Sequence, residues 1–338
     1  MENNQQGLLF ASRELITEDK VKSQYSYGLR ASVVVAIIST AMLAQEKPCQ
    51  TASKFGPNDQ IGNVNYITPA KTLAAAKLVS AGRAYRLGIE TNKNTPAFGT
   101  RTFGMTVVQP GQSGGANFGP NKTTYNDDLI TGWVGIGSQI DGFGHIGIED
   151  LYFNCNRGRD FAQVDGLKKL GIENVPAIAT RAVLLDMAGY LNTNMVKEGV
   201  AFNRLEIDGA MKRQGIKGIE KGDVVLFHTG WMSLLGKDGK RFIDANPGLG
   251  RDGASYLASL GVVAVGADTA NFEVIPFEQG SGDYEVHQIL LALNGIYILE
   301  NLKLDEMARD KAWESFFTLG PVRVTGGVQA WINPIAIK

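Results

Sequence analysis

The chain of 338 residues, 44% hydrophobic and 20% charged, is long enough to bury a sizeable core as one large domain or two ordinary ones. A formal net charge of −1 excludes a general nucleic-acid binder, which would carry a marked basic excess. Its two cysteines, Cys49 and Cys155, form no CxxC-type spacing, so any metal must be held by oxygen and nitrogen ligands.

The first fifty residues differ from the rest. Arg30 precedes an apolar run, Ala31 to Ala44, that ends in small residues. This is the layout of a secretory signal peptide and is short for a membrane span. The polar leader before it is long for an n-region, although VKSQYSYGLR alone would be an ordinary one. A buried strand or helix is the competing reading, and export is favoured. Residues 1–44 are therefore expected to be a leader with its apolar core at 31–44, and 45–338 the folded domain. Cys49 lies past the cleavage site, so no lipid anchor is expected.

From Phe55 the chain reads as a turn, a helix and a strand. Thr68 is the expected cap, Pro69 takes the first helical position, Gly82 follows the helix, and AYRLGI begins the strand. Residues 109–124 form a loop rich in Gly, Asn and Pro that could cover a site. From Trp133 to Ile140 apolar and polar residues alternate, which predicts a strand running into a glycine-rich loop. A helix is expected near Phe161–Leu170. Ala182–Met187, Gly222–His228 and Val262–Asp268 read as buried strands, and Leu205–Gln214 and Ser255–Leu260 as helices. His287 to Asn301 reads as helix, glycine, strand, and Val322–Thr325 alternates. Helices interleaved with short apolar strands, with no repeat or linker after residue 55, predict one α/β domain.

Three histidines occur in the whole chain, so each position is informative. The stretch from Trp133 to His145 places an amide (Gln139), a carboxylate (Asp141) and an imidazole (His145) among four glycines. Asp141, His145, His287 and Glu300 are the groups expected to converge, because metal-assisted hydrolysis needs ligands from separate elements and an open position for water. His287 and Glu300 bracket a helix and a strand that Gly295 separates, so folding one on the other would bring both to one point. His228 is expected to be a buried, hydrogen-bonded histidine. Asp186 and Asp268 end strands and are expected to bind backbone turns, with Asp268 a candidate for a pocket lining. No GxSxG surrounds a nucleophile, which argues against a serine hydrolase.

The stretch Gly135–His145 resembles the HxGTHxDxPxH motif of the cyclase family of metal-dependent hydrolases, which includes kynurenine formamidase, isatin hydrolase and trans-dienelactone hydrolase. The likeness extends through FGPNDQIGNVNYITP, RAVLLD, GDVVLFHTGW, GADTANFE, HQILL, ILEN and PVRVTGG, most of residues 55–338. It implies a single-domain swivelling β/β/α fold with mixed sheets and flanking helices. It also implies one divalent metal, Mn²⁺ or Zn²⁺, on Asp141, His287, Glu300 and Gln139, with His145 as general base. Gly135 and Gln139 stand where the motif has its first two histidines and Phe143 where it has proline, so a two-metal site is not expected. Trp133, Phe143 and Trp231 are expected to wall a small lactone, cyclic amide or aryl formamide. The resemblance further implies a homodimer or homotetramer, while the near-neutral charge argues against a nucleic-acid partner and the short apolar run against a membrane span in the mature chain. The location is periplasmic or secreted if the leader is cleaved, and otherwise cytoplasmic. The alternative is a non-catalytic small-molecule-binding protein of the same fold with a degenerate metal site.

Overall fold

In the computed structural model, residues 49–108 and 119–338 are described. The expected leader and the middle of the 109–124 loop lie outside them. Helix α1 (Pro69–Ala76) starts as its sequence predicts, with the Thr68 hydroxyl accepting from the Lys71 amide. Strand β1 (Ala84–Arg86) follows. Strands β2 (Phe103–Val108) and β3 (Asp127–Gly132) pair as an antiparallel ribbon on either side of the 109–124 loop. The strand expected from Trp133 to Ile140 is reduced to β4 (Gln139–Asp141), because residues 134–138, with their two glycines, bend instead of extending.

Strand β5 (Ile178–Asp186) leads to helix α2 (Arg204–Gln214) and strand β6 (Val224–His228). Helix α3 (Arg251–Leu260) and strand β7 (Ala264–Ala267) follow. The Glu206 carboxylate accepts from the Asn203 amide at 2.9 Å to cap α2, and left-handed Gly215 ends it. Next come α4 (Glu285–His287), a π-helical run (Gln288–Leu293) and strand β8 (Tyr297–Glu300). Between the last two, Gly295 turns the chain at φ +60°, where a Cβ would press on the Phe153 ring at 2.6 Å and the Gly62 Cα at 2.9 Å. Strands β9 (Glu314–Leu319), β10 (Gln329–Trp331) and β11 (Ile335–Ile337) complete the chain.

These strands make one nine-stranded mixed sheet in the order β1-β11-β9-β5-β6-β7-β8-β4-β10. The central four, β5 to β8, run parallel, and β4 and β10 add antiparallel strands beside β8. Val183–Leu185 and Val224–Phe227 are buried throughout, as parallel strands covered on both faces must be. Helix α1 packs against β5 and β9, and α2 against β5 and α3. Helix α2 buries Ile207, Ala210 and Met211, one helical stripe.

Two further expectations fail. The helix near Phe161–Leu170 is instead one turn at Gly158–Phe161 followed by a short ribbon, Ala162–Gln163 against Gly166–Leu167. The Val164-Asp165-Gly166 turn signal overrides the apolar spacing there. Val322–Thr325 belongs to no strand and turns instead, with the Val324 amide donating to the Val322 carbonyl at 3.2 Å, and Val322 and Val324 remain 55% and 56% exposed. Cys49 and Cys155 form a disulfide, with Cα atoms 6.0 Å apart, that ties the start of the described chain to the turn after Phe153. Among the described residues no helix is long and apolar enough to cross a membrane.

Candidate metal centre

The two-residue period of β4 turns Gln139 and Asp141 to the same side. Register does the rest. Glu300 at the end of β8 lies opposite Gln139, and Gln329 on β10 lies opposite Asp141. Their side chains meet. Gln139 Nε2 donates to Glu300 Oε2 at 2.9 Å and to Asp141 Oδ1 at 3.2 Å, and Gln329 Nε2 donates to the same Asp141 oxygen at 2.6 Å. His287 arrives from α4, with Nε2 at 3.5 Å from Glu300 Oε1 and 3.9 Å from Asp141 Oδ2. Ligand atoms of Asp141, His287 and Glu300 all lie within 4.8 Å of one another, and all three residues are buried.

Two oxygens in this cluster, Asp141 Oδ2 and Gln139 Oε1, are buried without a hydrogen-bond partner. Unpaired buried acceptors are costly, and a carboxylate more so than an amide. One imidazole nitrogen and two carboxylates within 4.8 Å of one another form a donor set that suits a divalent ion. The residues present therefore fit a divalent ion.

A surrounding layer fixes the orientation of these groups. Glu273, itself buried, meets His287 Nδ1 at 2.6 Å through Oε1 and accepts the Val286 amide through Oε2 at 3.1 Å. The Phe272 amide donates to Glu300 Oε1 at 2.9 Å. Asn246 Nδ2 holds this segment by the carbonyls of Asn271 and Glu273. With Nδ1 turned to Glu273, His287 presents Nε2 to the cluster. Burial works against an imidazolium here, but Glu273 and Glu300 override it and raise the His287 pKa to about 10. Burial and the Asp141 charge push Glu300 up to about 7 against the pull of His287.

A cavity of about 270 Å³ opens beside the cluster, lined by Gln139, His287 and Glu300 together with His145, Asn271, Phe98, Arg101, Ile146 and Tyr284. Burial lowers the pKa of His145, Asp141 opposes that, and the charges of His287 and Arg101 add to the lowering. The result is a neutral imidazole near neutral pH, the form that accepts a proton.

The aromatic wall differs from the expected one. Trp133 is 54% exposed, Phe143 stacks on Tyr297 at 4.2 Å in the core, and Trp231 is buried with its indole N–H donating to the Phe242 carbonyl at 3.2 Å. None of the three lines the cavity, and Phe98, Ile146 and Tyr284 take that place. Phe143 and Trp231 went where large apolar rings gain most from burial. Arg101, Asn271, Glu273 and Gln329 were not singled out in the sequence. Glu273 carried a faint signal, as the one acid in Ala270-Asn-Phe-Glu-Val-Ile275, and Arg101 carried none.

Gly135, at the first histidine position of the motif, is close-packed. A Cβ there would meet Arg101 Nη1 at 2.8 Å and Gln329 Oε1 at 3.0 Å. The volume a side chain would need is filled by those two residues.

Residues 85–274 match the Cyclase family, described as "putative cyclase". A crystal structure described as a novel cyclase is 29% identical with a TM-score of 0.77, and the match covers 84% of this chain and 96% of that one. Isatin hydrolase A from Ralstonia solanacearum is 21% identical with a TM-score of 0.59, over 80% of this chain and 98% of its own. An isatin hydrolase bound to the product analogue thioisatinate is 18% identical with a TM-score of 0.57, over 80% and 98%. These last two share the fold. No curated protein matches the sequence.

Proposed function

The chain belongs to the Cyclase family, and on that premise we propose that it is a metal-dependent hydrolase of small cyclic esters or amides, or of aryl formamides. Asp141, His287 and Glu300, with the Gln139 carbonyl oxygen, would hold one Mn²⁺ or Zn²⁺. Such an ion supplies Lewis acidity toward water and toward a scissile carbonyl. His145, neutral in its buried position, takes the proton of the attacking water and passes it to the leaving oxygen or nitrogen. Phe98, Ile146 and Tyr284 exclude water around the substrate's hydrocarbon body. Glu273 keeps His287 in the tautomer that offers Nε2.

The observation that carries this reading is the convergence of Asp141, His287 and Glu300, with Asp141 Oδ2 buried and unpartnered 3.9 Å from His287 Nε2, next to a cavity that His287 and Glu300 line. Elemental mass spectrometry of protein purified without chelators, wild type and Asp141→Ala, tests it. About one Mn or Zn per chain, lost in the variant, is the expected result. A wild type that stays empty when supplied with both metals turns the reading to a binding protein of the same fold, the direction in which Gly135 and Gln139 would point.

The domain organisation proposed is a leader, residues 1–44, before a hydrolase domain, 45–338, assembled as a homodimer or homotetramer. The Cys49–Cys155 disulfide supports a periplasmic or secreted location, since such bonds persist in oxidising compartments. Mass spectrometry of the mature N-terminus decides whether the leader is cleaved.

A further inference from the structure

We propose that Arg101 is the docking group for a carboxylate on the substrate, so that the enzyme acts on small ring compounds that are themselves anions. The inference rests on the hydrolase reading and names its substrate class. Arg101 lines the cavity beside His145, Tyr284 and the metal cluster, and is only part-exposed. Its one side-chain hydrogen bond among the described residues is a long one, Nη1 to the Gly135 carbonyl at 3.3 Å. Its guanidinium lies 5.9 Å from the Phe98 ring. No carboxylate among the described residues pairs with it, although nineteen ion pairs are formed elsewhere. A guanidinium brought into a cavity without a counter-charge retains most of its five donors for a ligand.

Placement strengthens the case. The Arg101 guanidinium lies against Gly135, where a Cβ would stand 2.8 Å from Nη1. Asp141, Glu273 and Glu300 already outnumber the charge of one divalent ion, so an anionic substrate entering that field needs a dedicated positive partner. The planar fork of arginine meets a carboxylate through two parallel hydrogen bonds, and Phe98 and Tyr284 offer ring faces to the rest of the molecule. A charge-assisted pair of this kind, partly desolvated, corresponds to a preference of about ten- to a hundredfold over an uncharged isostere.

The test uses metal-loaded full-length protein and two matched pairs of probes. Calorimetric titration with benzoate and benzamide reads binding without catalysis, and turnover of 4-formamidobenzoate and formanilide reads activity. Wild type is expected to bind benzoate at least tenfold more tightly than benzamide. Arg101→Gln should bring the two within about twofold, with metal content unchanged, and Arg101→Lys should restore part of the preference. In turnover, Arg101→Gln should raise KM for 4-formamidobenzoate at least tenfold more than it raises KM for formanilide. Retention of the benzoate preference in Arg101→Gln overturns the proposal, as does an equal fall in kcat for both formamides, which would make Arg101 a stabiliser of the reacting oxygen. Benzoate binding that depends on Arg101 in a protein that hydrolyses neither formamide nor any lactone would keep the docking role and overturn the hydrolase reading instead.

Discussion

Two clusters of acids and histidines sit on the same carboxyl-terminal edge of the parallel strands, and they are built to opposite specifications. At β5, β6 and β7 the edge carries Asp186, His228 and Asp268. Asp186 lies opposite His228 in register and meets its Nδ1 at 2.8 Å, while also accepting the Gly189 amide at 2.9 Å. Asp268 Oδ1 accepts the Thr229 amide and hydroxyl, and Oδ2 accepts the Gly230 amide. Both Asp268 oxygens are engaged, and Asp186 Oδ1 serves His228 and Gly189 together. At β8 and β4 the edge carries Glu300, Asp141 and Gln139, and there two oxygens have no partner. Residue type does not separate the clusters, since both combine a histidine with two acids. Hydrogen-bond completion does. The first cluster is finished by its own backbone and holds a turn, and the second is finished only by something the chain binds.

The largest contrast should come from truncating one acid in each. Asp141→Ala is expected to abolish metal binding, read by elemental analysis, whereas Asp186→Ala should leave metal content unchanged. Next in size, His145→Ala should lower kcat by about a hundred- to ten-thousandfold with the metal retained. Full turnover by that variant would remove His145 from the proton-transfer role. Glu273→Gln keeps an acceptor for His287 but removes the charge, and metal affinity should fall about ten- to a hundredfold in competition with a chelator. Affinity equal to wild type would reduce Glu273 to a packing residue.

The smallest effect belongs to His228. Burial works to lower its pKa, but the hydrogen bond it donates to Asp186 and the charges of Asp268 and Asp186 raise it above the ordinary histidine value. A raised folded-state value means stability fully present below about pH 6.5 and lost as pH climbs through the folded pKa. Asp186 is the opposite case. Burial alone would raise its pKa, but His228 and the Gly189 amide lower it, so its contribution is present above about pH 3.9 and lost as pH falls through the folded value. His228→Gln should cost about 1–3 kcal/mol near pH 6 and flatten the stability profile above it, with turnover and metal content unchanged. Urea unfolding at a series of pH values measures this, and an unaltered slope would show that the histidine carries no charge in the fold.

The parallel core was legible because β5, β6 and β7 are apolar on both faces and bounded by turn residues. Asp141, His145, His287 and Glu300 were legible as candidate groups because histidines are few and the stretch around them matches a known pattern. Partners that converge from distant segments were not. Nothing in the local sequence of Arg101 or Gln329 marks them as neighbours of Gly135, and Glu273 becomes recognisable only once β7 lies beside β8. Cys49 and Cys155 are 106 residues apart, with no spacing signal to join them. The aromatic wall was misplaced for a related reason. Trp133 and Phe143 lie close to the site in sequence, yet strand direction sends one to the surface and the other into the core.

The packing around Gly135 also constrains how this site can change. A side chain added at position 135 would meet the ends of two flexible side chains, the Arg101 guanidinium and the Gln329 amide, and is admitted only as they swing aside. Moving Gln329 takes a donor from Asp141, and moving Arg101 shifts the cation in the cavity. Position 135 is thus coupled to the cluster through two residues remote from it in sequence, and a change there would be read first in the hydrogen bonding of Asp141.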